Sequence, residues 1–140
     1  MPNDRRALPR VAQRIQAFIL AQQLPLSLLP DFLLAAEEAL MNVISYGYSD
    51  NETHLIQLRL QCTKQVLRLR IEDDGRPFNP LTRPLPDVTI ALQTRAVGGL
   101  GIHLVRQLMD QVEYQRTAGS NILTLTKNLF PLGTERDGMP

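Results

Sequence analysis

The sequence predicts an α/β fold of the α+β kind: a two-layer sandwich with helices on one face of a sheet and the other face open. Three observations point there. Apolar residues recur at helical spacing in three stretches and alternate with period two in four others. The order along the chain is helix, helix, strand, strand, long loop, helix, strand, strand. Each strand pair is joined by a short turn, which favours antiparallel hairpins with one buried face.

The first helix is expected over Leu8–Gln22, where Leu8, Val11, Ile15, Phe18 and Ile19 share one side and Pro9 is tolerable in the opening turn. "LPLSLLPD" then breaks the pattern. Ser27 is the expected N-cap of a second helix with Pro30 in its first turn, running to about Tyr46 and stopping at a left-handed Gly47. In "HLIQLRLQC", Ile56, Leu58, Leu60 and Cys62 alternate with polar residues. After a turn at 63–65, Leu67, Leu69 and Ile71 do the same. Residues 75–100 carry four prolines in their first half, and a connection this long in a small domain is usually functional. "GIHLVRQLMD" is the third helix, with Ile102, Val105, Leu108 and Met109 on one side. "VEYQR" and "NILTLTKNL" are two strands joined by "TAGS".

At 140 residues the chain is expected to form one domain over 8–128, with 129–140 a frayed tail. A net charge of +1 gives no reason to expect a nucleic-acid or membrane surface. The single cysteine, Cys62, excludes an internal disulfide and suits a reducing cytosol. No apolar run is long enough for a membrane span or a secretory signal, so a soluble cytoplasmic protein is expected. His54 and His103 share no ligand spacing with Cys62, so zinc is not expected.

Three stretches carry chemistry. In "LLAAEEALMNVISYGY", Glu38, Asn42 and Ser45 fall in one narrow sector of a helix that is otherwise apolar nearly all round. Residues four apart stand about 6 Å from each other, so Glu38 and Asn42 can address one small object. An amide oxygen suits Mg²⁺, and a carboxylate one turn away could take a hydroxyl proton during phosphoryl transfer. In "IEDDGRPFNP", Asp73 ends a strand and could accept from the amino group of adenine, while Gly75 permits positive φ or close ligand approach. In "RAVGGLGIHLV", glycines precede a helix whose first amides would attract phosphate, with Arg95 a nearby cation. Taken singly, these stretches read more simply as surface polarity, a turn and a flexible loop end.

In order and spacing, "EEALMNVISYGY", "IEDDGRPFNP" and "GGLGIHLVRQLMD" together resemble the asparagine box and two glycine boxes of the Bergerat-fold (GHKL) ATPases. The small size brings the chain near one branch, the bacterial anti-sigma factor serine kinases. The resemblance covers roughly residues 8–128 and implies a two-layer sandwich of Bergerat type, with three main helices packed on a mixed, mostly antiparallel sheet. It implies ATP and Mg²⁺ as cofactors. Carried over by position, Glu38 is the general base or water-orienting carboxylate, Asn42 the Mg²⁺ ligand and Asp73 the adenine-binding aspartate, with Gly75 beside it. Gly99, Leu100 and Gly101 form the phosphate-facing helix start, Arg95 adds a cation, and residues 81–97 are the lid. Tyr46 stands where the family often has histidine, and Asn79 where it usually has aspartate. The function implied is serine/threonine phosphorylation of an anti-sigma factor antagonist of the STAS fold. A sigma factor and a second copy of the chain are further partners, with no direct nucleic acid and no membrane. The alternative is an ATP-dependent switch that binds a partner without transferring phosphate.

Overall fold

Every pairing among the described strands is antiparallel, and the helices cover one face of the resulting sheet. The computed structural model describes residues 1–82 and 98–129, and for 98–100 the backbone alone. The elements are α1 (Leu8–Ala21), α2 (Leu29–Tyr46), β1 (Gln57–Cys62), β2 (Val66–Asp73), α3 (Gly98–Leu108), β3 (Gln111–Thr117) and β4 (Ser120–Asn128). Strand order across the sheet is β1-β2-β4-β3. The two-layer α+β expectation holds.

The first helix buries Val11, Ile15 and Ile19, one residue per turn along the stripe read from the sequence. Its end is a Schellman turn: the Leu24 amide reaches the Ile19 carbonyl and the Gln23 amide reaches that of Leu20, both at 3.1 Å. Gln23 therefore adopts φ 55°, a left-handed conformation that costs a residue with a Cβ about 1–2 kcal/mol. Gln23→Gly is expected to raise the melting temperature by a few degrees, about 2–4 °C per kcal/mol, in a thermal scan.

Two cap expectations need correcting. Ser27 does not cap α2. The chain enters through a 3₁₀ turn, Leu26–Leu28, so Ser27 is already inside a turn, and Leu28 holds the cap position without a side-chain bond. Proline in the opening turn of α2 removes one of the amides a cap would serve. Gly47 is not left-handed either, with φ −76° and ψ −27°. Glycine is needed there for crowding: a Cβ would lie 2.7 Å from the Val43 carbonyl oxygen.

α2 is the central helix of its layer, packed against both α1 and α3. Its buried residues therefore spread around more of the circumference than one stripe, taking in Ala35, Ala39 and Asn42 as well as Phe32, Ala36 and Leu40. Beneath lies the inward face of β2, where Leu67, Leu69, Ile71 and Asp73 alternate with half-exposed residues. Leu69 and Ile71 face Leu125 and Leu123 across the β2–β4 ladder, and all four are buried. Ahead of β1, Pro2 bridges Leu55, with the Met1 ammonium on the Ile56 carbonyl at 2.8 Å and the Asn3 amide on that of His54 at 3.0 Å. Among the described residues no helix is long and apolar enough to cross a membrane.

Candidate functional site

α2 sets Glu38 and Asn42 one turn apart, and α3 lays Gly101 against them. A Cβ at residue 101 would stand 2.6 Å from Glu38 Oε2, so any other residue there would push the carboxylate aside. Glu38, Asn42, Ser45, Tyr46 and Gly101 line one cavity of about 1070 Å³, which continues toward α1 past Leu8 and Ala12. Asn42 is 5% exposed with Oδ1 shielded from solvent, whereas Ser45 is open to it. Burial, and secondarily the neighbouring Glu37 carboxylate, push the Glu38 carboxyl above its ordinary value.

Asp73 and Gly75 do not line that cavity. They close the end of β2, tied to the end of α2 by a backbone contact that only glycine permits: a Cβ on Gly75 would lie 2.3 Å from the Gly47 carbonyl oxygen. The Arg76 amide donates to that same carbonyl at 3.0 Å, and Arg76 Nε donates to the Tyr46 carbonyl at 2.9 Å. Tyr46 stacks on Phe78 with ring centroids 5.8 Å apart. Gly75 therefore serves close backbone approach and has no positive φ.

Asp73 is 5% exposed. Its Oδ1 accepts the Gly75 amide at 2.9 Å and Asn121 Nδ2 at 3.0 Å. Asn121 faces Asp73 directly across the β2–β4 ladder. It also donates to the Arg76 carbonyl and accepts from the Phe78 amide and the Tyr114 hydroxyl. Arg116 Nη1 holds the Gly75 carbonyl at 2.8 Å. Sequence reading missed Asn121 and Tyr114. The available signal was the pairing of an asparagine with Leu123 and Leu125 at period two, which marks a polar residue on the inward face.

The remaining candidates fall as follows. Gly99 and Leu100 lie in the first turn of α3. Asn79 Oδ1 accepts the Leu81 amide at 2.9 Å and so caps the 3₁₀ turn Pro80–Thr82. Arg95 and residues 83–97 of the expected lid lie outside the described residues.

Next to Asp73, Asp74 accepts from the Tyr48 hydroxyl at 3.0 Å. The Tyr48 ring stacks on His54 at 4.2 Å between centroids. His54 Nε2 lies 2.8 Å from Asp50 Oδ1, and Nδ1 lies 3.6 Å from Asp74 Oδ1. The bond to Asp50 lifts the imidazole above its ordinary value of 6.5. A raised folded-state value contributes stability that is present below the unfolded pKa and lost as pH rises through the folded one. The wild type is therefore expected to lose melting temperature relative to His54→Gln as pH rises above 6.5 and through the raised folded-state value. Parallel thermal scans of the two proteins across that range check it.

Residues 1–127 match the family model described as "Histidine kinase-like ATPase domain". The chain is 35% identical over 98 residues to the serine/threonine-protein kinase BtrW of Bordetella bronchiseptica, covering 70% of this chain and 69% of that protein. It is 27% identical over 97 residues to the serine-protein kinase RsbW of Listeria monocytogenes, covering 66% of this chain and 62% of the relative. Among solved structures, the histidine kinase domain of the blue-light activated histidine kinase of Erythrobacter litoralis superposes with a TM-score of 0.57 at 21% identity. That match covers 92% of this chain and 62% of the other. This last likeness is one of fold.

Proposed function

The chain belongs to the histidine kinase-like ATPase domain family, and from that membership we propose that it binds ATP with Mg²⁺ and phosphorylates a serine or threonine of a partner protein. The partner is an anti-sigma factor antagonist of the STAS fold. The observation that carries this reading is the meeting of Glu38, Asn42 and Gly101 around one cavity. The names of the relatives, serine and serine/threonine kinases, support the direction of the chemistry.

The residues fit the cofactors. A buried amide oxygen on a rigid helix is a hard, neutral donor of the kind Mg²⁺ accepts, so Asn42 would hold the ion. Bound there, Mg²⁺ would offset phosphate charge. The glycine-rich start of α3 has amides without intrahelical partners, and those of Gly99, Leu100 and Gly101 would receive phosphate oxygens. Arg95 would add a positive charge. Asp73 would accept from the amino group of adenine, with Gly75 holding the loop beneath it.

Glu38 takes the proton of the incoming hydroxyl. Its raised pKa makes it a stronger base than an exposed carboxylate, and Gly101 keeps the space beside it clear of a side chain. The regulatory role follows from the partner: phosphorylating the antagonist would change which protein the kinase holds, a sigma factor being the other. A cytoplasmic location and a second copy of the chain belong to the same proposal.

Incubation with radiolabelled ATP, Mg²⁺ and a cognate STAS-fold antagonist is expected to place label on one antagonist serine or threonine. Intact ATP binding with no label transferred would contradict catalysis and leave a nucleotide-driven switch.

A further inference from the structure

Asn121 begins the inward side of β4 and is 4% exposed. A buried asparagine brings two donors and one acceptor oxygen, all of which need partners. Oδ1 accepts from the Phe78 amide at 3.3 Å and the Tyr114 hydroxyl at 2.5 Å. Nδ2 donates to Asp73 Oδ1 at 3.0 Å and to the Arg76 carbonyl at 2.8 Å. Two of these partners are main-chain groups of fixed character. The Phe78 amide can only donate and the Arg76 carbonyl can only accept, so a flipped side-chain amide would set donor against donor and acceptor against acceptor. Nδ2 must therefore face Asp73.

The consequence falls on the carboxylate. Gly75 and Asn121 both donate to Oδ1, which fills that oxygen. Oδ2 takes part in neither bond. Two donors on one oxygen, each anchored in separate backbone, also resist rotation of the carboxylate about its own bond.

We propose that Asn121 is the positioning residue that sets nucleobase specificity. Saturating Oδ1 leaves Asp73 one acceptor oxygen in a fixed orientation, which selects a base bearing an amino group at that edge. Adenine meets this requirement. Hypoxanthine, with a carbonyl in the same place, sets acceptor against acceptor. The inference rests on the assignment of ATP to this site and adds to it the group that makes the site read the base. Asn121 acts through Asp73, and Tyr114 acts through Asn121.

The test is calorimetric titration of ATP and of inosine triphosphate, each with Mg²⁺, into the wild type, Asn121→Ala and Tyr114→Phe. The wild type is expected to favour ATP by about tenfold or more, the worth of one well-made hydrogen bond to a charged group. Asn121→Ala should reduce that ratio to within about threefold of unity, chiefly by weakening ATP. Tyr114→Phe keeps both Nδ2 bonds and should reduce the ratio less. If Asn121→Ala does not fold, Tyr114→Phe decides. A merely structural role would weaken both nucleotides alike, so an unchanged ratio in the variants overturns the proposal. A wild type that binds neither nucleotide overturns the reading of the site, and this inference with it. A wild type that favours ATP beside variants that keep the ratio overturns this inference alone.

Discussion

Glu38→Gln is expected to slow phosphoryl transfer by about 10²–10⁴-fold, the usual worth of a general base, while Mg²⁺·ATP affinity stays within about threefold. Glutamine keeps the size of the side chain and its fit beneath Gly101 but cannot take a proton. The two residues are so close that a Cβ at 101 would reach Glu38 Oε2, so shape is worth preserving in the test. Burial and the Glu37 charge raise the wild-type pKa. Only the ionised carboxylate is a base, so the acidic limb of the wild-type rate profile should lie above the ordinary carboxylate range and be absent in the variant. Single-turnover transfer measured against pH reads both effects. Equal rates in the two proteins would remove Glu38 from the chemistry.

Asp73→Asn is expected to weaken ATP binding by about 100-fold without unfolding the protein. The amide oxygen can keep the bonds from Gly75 and Asn121 on the Oδ1 side. In place of Oδ2 it then presents an NH₂ group, which sets donor against donor toward adenine. Stability should fall by only about 1–2 kcal/mol, since the bonds to a neutral oxygen are weaker than those to a carboxylate. Calorimetric titration beside a thermal scan separates the two effects. Loss of folding together with binding would mean that Asp73 serves the packing of the loop first.

What could be read from the sequence was whatever follows from local periodicity. The polar sector of α2 was legible because 100° per residue puts Glu38 and Asn42 on one side, and the third helix was legible too, although it begins at Gly98 and takes in glycines read as preceding it. Gly47 was read with the wrong reason. A glycine after a helix looks the same whether it supplies a left-handed stop or, as here, relieves crowding against the Val43 carbonyl one turn back. The inward side of Asn121 could be read from alternation, but its contact with Asp73 was out of reach, because the β2–β4 pairing joins residues 48 apart and alternation alone fits several registers. The bridge of Pro2 to Leu55 was invisible for a simpler reason: three residues ahead of a helix carry no period.

Amide spectra of isotope-labelled protein titrated with Mg²⁺·ATP test most directly whether α2, the start of α3 and the end of β2 form one nucleotide site. Gly75, Gly101 and the Asn42 side-chain amide are expected to shift together and to saturate with a single dissociation constant. Spectra unchanged at millimolar nucleotide, or shifts at Gly75 and Gly101 that follow different constants, would contradict a shared site.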